Sequence, residues 1–308
     1  MESNIMTSLP RILAAIDFSK PARGAFDHAL ALSRQYAAEL TVVHAVPPTQ
    51  SFQWRARARL ALAARLRRRA EGAGVRFNVS VQHGDPAGVI LLHAGALHPD
   101  VIVLGTHQRT GLDRLRAGSV AERVAVKAIQ PVLIVPERRD IGISPAFRRI
   151  AVAVDFSEAS ERAVDWALAL ASDPGDRVTL VHVVPGFSED EPPRRLYRSG
   201  VVEYQRELVR DARRRLERAI PSALTRPGRV HARVVTGDPA TEVTRVATEI
   251  EADLVVAGVP RRNAFSRRLF GVTASRLLRV VQAPMLAVPD RSSREDAQPE
   301  RAQLSLAA

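Results

Sequence analysis

Short β-branched runs alternate with segments of helical periodicity along most of the chain. Ile12–Ile16, Leu40–Ala45, Val75–Gln82, Val101–Leu104 and Val132–Val135 are bounded by Gly, Pro or Asp, and predict five strands. Between the first two, Ala22, Ala25/Phe26, Ala29 and Leu32/Ser33 recur at helical spacing, with Pro21 where a first helical turn tolerates it. Trp54, Ala58, Ala61/Leu62 and Leu66 mark a second helix whose other face holds Arg55, Arg59, Arg67 and Arg68. Pro86 to Leu97 and Ser119 to Ile129 predict two more. The strands are nearly all apolar, as strands buried on both faces must be. Strand–helix alternation then predicts an α/β fold, a parallel sheet with helices on both faces, because parallel strands need long crossovers.

The pattern occurs twice. Arg11 to Ser19 (RILAAIDFS) returns as Arg149 to Ser157 (RIAVAVDFS), and Thr41 to Pro47 returns as Thr179 to Pro185, both at an offset of 138. Gly84-Asp85-Pro86-Ala87 returns as Gly237-Asp238-Pro239-Ala240, Asp100 to Gly105 as Asp253 to Gly258, and Pro131 to Pro136 as Pro284 to Pro289, now at an offset of 153. The second copy therefore carries 15 extra residues between His182 and Gly237, expected near Pro185 to Gly200, which is rich in Pro, Gly and charge. The expected organisation is an N-terminal tail (1–10), domain 1 (11–136), a linker (137–148), domain 2 (149–289) and a polar tail (290–308) expected to be disordered.

Composition narrows the function. With no Cys, thiolate nucleophiles, disulfides and cysteine-ligated metals are excluded, and a reducing cytoplasmic location is expected. No apolar run approaches the ~20 residues of a membrane span, so no membrane partner is expected. The formal charge of +12 invites a nucleic-acid partner, yet the basic residues are spread over both halves and mostly interleaved with acids, the pattern of solvated helix faces. All but two of the 45 basic residues, Lys20 and Lys127, are arginine, as GC-rich coding would give. These features count against a dedicated nucleic-acid binder.

In an open α/β sheet, ligands bind beyond the carboxyl ends of the strands. Asp17 follows the first strand, Ala45 ends the second, and the segment from Gly105 to Ser119 follows the fourth. Ser119-Val-Ala-Glu122 has the form of a capping box, so Gly118, Ser119 and Val120 could cradle a phosphate at a helix N-terminus. Gly105 and Gly118 would let backbone approach a ligand closely. Glycines also punctuate turns, and Ser119 could act as a cap alone. His44 and His182 occupy equivalent strand ends, where a hydrogen-bonded structural role is the expectation. His93 and His98 are badly spaced for a metal pair. No nucleophile, acid–base pair or metal set marks an enzyme, and no dinucleotide fingerprint, phosphate-loop GxxxxGK[ST] or GxSxG elbow is present.

These residues and repeats resemble a tandem universal stress protein, from about Arg11 to Pro289. The resemblance implies two Rossmann-like, open, parallel five-stranded sheets. The family's homodimers pair their fifth strands, so Pro131–Val135 and Pro284–Val288 are expected to pair within this chain as a built-in pseudo-dimer. The nucleotide-binding branch carries G-x2-G-x9-G-[ST] after its fourth strand. Gly105, Gly118 and Ser119 match it, whereas Gln108 replaces the middle glycine. The resemblance implies adenine near Asp17, Ala45 and Leu104, ribose near Gly105, and phosphates near Gln108, Gly118, Ser119 and Val120. Arg109 could add a phosphate contact. ATP, with Mg2+ or Mn2+ as companion left open, is the implied ligand of a non-catalytic module in the stress response. A scaffold that binds no nucleotide is the alternative. In copy two, Asp155, Gly258 and Gly271 persist and Val183 stands where copy one has Ala45, but Arg261 replaces the middle glycine and Val272 the hydroxyl residue, so a degenerate site is expected. A homodimer and an unidentified protein partner are left open.

Overall fold

The predicted strands and helices of copy one all form. They are β1 (Arg11–Ala15), α1 (Lys20–Gln35), β2 (Glu39–Val46), α2 (Phe52–Ala70), β3 (Phe77–His83), α3 (Pro86–Leu97), β4 (Val101–Thr106), α4 (Val120–Lys127) and β5 (Val132–Pro136). Copy two repeats the order as β6 (Arg149–Ala153), α5 (Glu158–Leu170), β7 (Arg177–Val184), α6 (Arg198–Ala219), β8 (Val230–Thr236), α7 (Pro239–Glu249), β9 (Leu254–Val259), α8 (Val272–Val280) and β10 (Met285–Pro289). The structure, a computed structural model, describes residues 9–17, 19–46, 52–70, 74–106, 120–137, 147–186, 198–219, 229–259 and 272–290. The expected tails and linker lie largely outside these ranges.

Local chemistry fixes where the helices begin. Asp17 accepts the Ser19 N–H (2.9 Å), and the Ser19 hydroxyl accepts from Ala22 at the start of α1. Asp155 and Ser157 repeat this arrangement ahead of α5. Before α3 and α7, Gly84 and Gly237 take φ of +146° and +148°, which an L side chain rarely adopts. Asp85 and Asp238 then cap the helices by accepting from Gly88 and Thr241, and Pro86 and Pro239 occupy first-turn positions where no donor is needed.

The two expected five-stranded sheets are halves of one ten-stranded sheet, ordered β3-β2-β1-β4-β5-β10-β9-β6-β7-β8. Each half is parallel, and they meet antiparallel at β5 and β10, with Leu286 opposite Leu133 and Met285 opposite Ile134. The expected intramolecular pairing therefore forms, covering two apolar strand edges that would otherwise be exposed. One face buries Phe26, Leu62, Leu66, Val164 and Leu216 from α1, α2, α5 and α6. The other buries Ile90, Val124, Val243 and Leu277 from α3, α4, α7 and α8. Across the junction on that second face, the Ser275 hydroxyl donates to Glu122 (2.8 Å) and Arg279 lies 3.3 Å from the same carboxylate.

The extra length of copy two is not confined to Pro185–Gly200. Residues 185–197 separate β7 from α6 where 47–51 separate β2 from α2, α6 has 22 residues against 19 in α2, and 220–229 stand where 71–76 do. The insertion thus lengthens a helix and both of its connections.

Candidate functional site

Register alone assembles the described part of the expected site. Ala15 of β1 is flanked by Val43 of β2 and by Leu104 of β4. Asp17 lies two residues past Ala15, Ala45 two past Val43, and Gly105 one past Leu104, so all four reach the carboxyl edge of three adjacent strands. Between β1 and β4 the connections part: β1 leads to α1 on one face and β4 leads toward α4 on the other. This is the switch in strand order where a crevice opens. Val120 begins α4 and is half-buried. Gln108, Arg109, Gly118 and Ser119 lie outside the described residues, as do Arg261 and Gly271 of copy two.

Gly105 has an architectural reason to be glycine. A Cβ there would stand 2.6 Å from the Pro21 carbonyl carbon and 2.8 Å from the Ala22 nitrogen, inside the first turn of α1. Gly258 repeats this, at 2.5 Å from both the Ala159 carbonyl carbon and the Ser160 nitrogen. The sequence suggested close approach of a ligand. The close approach observed is that of a helix, and it accounts for the residue in both copies.

Both histidines at the strand ends are structural. His44 Nδ1 pairs with the Ile16 carbonyl and His182 Nδ1 with the Val154 carbonyl, each at 2.8 Å, which ties β2 to the end of β1 and β7 to the end of β6. His93 sits between the Ser80 hydroxyl and the Val89 carbonyl. Among the described residues, no three His, Asp or Glu side chains are close enough to hold a metal ion, and no helix is long and apolar enough to cross a membrane.

Sequence reasoning missed a second interaction at the same edge. Arg123, one turn into α4, donates both terminal nitrogens to Asp85, at 2.8 and 2.6 Å, while Asp85 still caps α3. In copy two Arg276 donates one terminal nitrogen to Asp238 (2.5 Å). The Arg123 hydrogen bond and the Gly88 N–H hold the Asp85 carboxyl below its ordinary range. The Thr241 hydroxyl and N–H do so for Asp238, with Arg276 assisting. This brace fixes the direction of α4, whose N-terminus borders the crevice. The recurrence of Arg123 as Arg276 at the 153-residue offset was the signal available in the sequence.

Copy two presents a different mouth. Ala153 is flanked by Val181 and Ala257, which brings Asp155, Val183 and Gly258 to the corresponding edge. Burial raises the Asp155 pKa, but hydrogen bonds from Ser157 and Ser160 outweigh it, so the net direction is downward. Phe156 adopts φ of +63°, with its ring 4.5 Å from that of His182 and the Arg215 guanidinium 4.0 Å above it. Left-handed backbone in an aromatic residue stores about 1–3 kcal/mol, which this stack must hold in place. A groove of about 720 Å³ lies elsewhere, between the N-terminal half of α6 and Thr236. Its cations Arg206 and Arg210 are already engaged by Glu203, which makes it a poorer candidate than the strand-order switch.

Comparison with known proteins agrees with this architecture. The family model for the universal stress protein family matches residues 9–136 and 146–289. Universal stress protein G of Shigella flexneri is 32% identical over 144 residues, 46% of this chain and 99% of that protein. A universal stress protein of Methanocaldococcus jannaschii is 31% identical over 137 residues, 41% of this chain and 81% of its own length. Among solved structures, a universal stress protein from Archaeoglobus fulgidus superposes with a TM-score of 0.67 at 18% identity, covering 93% of this chain and 98% of that one, a likeness of fold. The duplicated motif, the shared strand order in both halves and the two matched segments have one source: the chain belongs to the universal stress protein family, carrying its domain twice.

Proposed function

We propose that copy one binds an adenine nucleotide, ATP, and works as a non-catalytic, nucleotide-responsive module in the stress response, with copy two as a degenerate partner. The observation that carries this reading is the meeting of Asp17, Ala45, Leu104 and Gly105 at the β1/β4 switch, beside the start of α4. The apolar Ala45 and Leu104 would take the flat face of a base. Gly118, Ser119 and Val120 would offer amide donors and the positive end of the α4 dipole to phosphates, and Arg109 would add a charge. Gln108, where the nucleotide-binding pattern has glycine, would cost about 1–3 kcal/mol if that position needs positive φ, a drop in affinity of tenfold or more. Binding would act by population shift, favouring one arrangement of the segment between β4 and α4.

Titration of ATP with Mg2+ or Mn2+ tests the reading. Wild-type binding is expected in the micromolar-to-millimolar range, about −4 to −8 kcal/mol, and Gly118→Val should abolish it. Gln108→Gly should tighten it. A second reading, a scaffold that binds no nucleotide, is favoured by Gly105, whose identity the packing of α1 explains without a ligand. Absence of wild-type binding at millimolar ATP would decide for the scaffold.

A further inference from the structure

The interleaving of arginine with acids, which argues against a nucleic-acid partner for the chain as a whole, fails on one helix. In α6, Arg206 and Arg210 reach Glu203, Arg213 reaches Glu217 and Arg214 reaches Asp211. Within α2 there is no acid to pair with: no Asp or Glu occurs from residue 40 to residue 70, Glu71 being the first beyond the helix, while Arg55, Arg57, Arg59, Arg65, Arg67, Arg68 and Arg69 all fall within it. Of these, Arg57, Arg65, Arg67 and Arg68 have described side chains, and all four are exposed. Their placement follows from the helical repeat. Leu62, Leu66 and Ala70 are buried against the sheet. At 100° per residue, Arg57 and Arg68 fall on the line opposite Leu66, with Arg65 and Arg67 on either flank. Arg57 and Arg68 are about 16 Å apart along the axis, the length of about five nucleotides of one duplex strand.

We propose that α2 is a docking face for the phosphate backbone of a nucleic-acid duplex, bound without regard to base sequence. Charge complementarity supports this partner, because guanidinium groups pair bidentately with phosphates and these have no carboxylate on their own helix to compete. Amphipathic insertion into an anionic membrane surface would need a broad apolar face. Here the apolar stripe is spent on the core, and Leu60, 72% exposed, is the one large apolar side chain seen on the outer face among the described residues of α2.

The test is fluorescence anisotropy of a labelled duplex with the full chain, at salt raised from about 50 to about 200 mM. Four phosphate contacts give a slope near −3.6 in log K against log salt, so wild-type affinity should fall by about 150-fold. Combined Arg57→Gln, Arg65→Gln, Arg67→Gln and Arg68→Gln should weaken binding at low salt at least tenfold and flatten that slope. The control, Arg206→Gln, Arg210→Gln, Arg213→Gln and Arg214→Gln in α6, removes the same charge and should leave the slope near wild type. All eight side chains are exposed, and circular dichroism verifies folding of both variants. The proposal is overturned if the wild type fails to bind at low salt, if both variants weaken equally, or if anionic lipid vesicles retain the chain while the duplex does not.

Discussion

Gly105→Ala isolates the contact on which each half of the fold is seated. The added Cβ would sit 2.6 Å from the Pro21 carbonyl carbon, about 0.9 Å inside the closest comfortable carbon–carbon separation. The atoms it meets are backbone, so no rotamer change relieves the clash. The first turn of α1 must instead move off β4, loosening Ala22, Ala25 and Phe26, each buried in the core. Overpacking costs about 1–3 kcal/mol where side chains can adjust, and a backbone clash belongs at or above the upper end, about 3 kcal/mol. Gly95→Ala is the matched control: it lies in α3, nothing stands within 4 Å of its added Cβ, and the change should stabilise by about 0.5–1 kcal/mol. Guanidinium unfolding followed by tryptophan fluorescence and circular dichroism should therefore separate the two variants by about 4 kcal/mol. A Gly105→Ala protein within about 1 kcal/mol of wild type would refute the packing account and return Gly105 to a ligand role.

Other expectations follow from the junction and the helix caps. Glu122→Arg would face Arg279 with a like charge and weaken the junction by up to about 1 kcal/mol, and adding Arg279→Glu should restore it; a double variant no better than the single would exclude a direct pairing. Leu133→Ala, at the centre of the β5/β10 pairing, should cost about 2–5 kcal/mol in denaturant unfolding, and a loss well below that would mean the pairing contributes little. Because the Asp155 carboxyl is held below its ordinary pKa, the unfolded chain binds its proton more readily, so its contribution is full above the unfolded value and fades as pH falls through the folded one. The stability difference between wild type and Asp155→Asn should accordingly shrink from pH 7 to below about pH 4, and a constant difference would contradict that role.

The sequence revealed much of the fold for identifiable reasons. Doubly buried strands are apolar almost throughout, so β1, β4 and β5 stand out between turn residues, and two constant offsets exposed the duplication. What stayed hidden depends on contacts between residues far apart in the chain. Nothing local to Gly105 announces that Pro21 approaches it, and only the fold brings Arg123 to Asp85 or Glu122 to Ser275. The counterions of α6 and their lack in α2 were present in the sequence, but whole-chain charge arithmetic averaged them together. Asp17, Ala45 and Gly105 were legible as a group because strand ends suffice to locate them, whereas Leu104 as a base contact and Gln108 as a phosphate contact rest on the family resemblance, and Gly118 and Ser119 on motif spacing.

The most direct test of the nucleotide account is the stoichiometry of ATP binding by calorimetry, comparing the wild type with Gly118→Val and with its counterpart in copy two, Gly271→Val. One site per chain, lost in Gly118→Val and retained in Gly271→Val, is the predicted result. Two equivalent sites, or a single site indifferent to Gly118→Val, would contradict it.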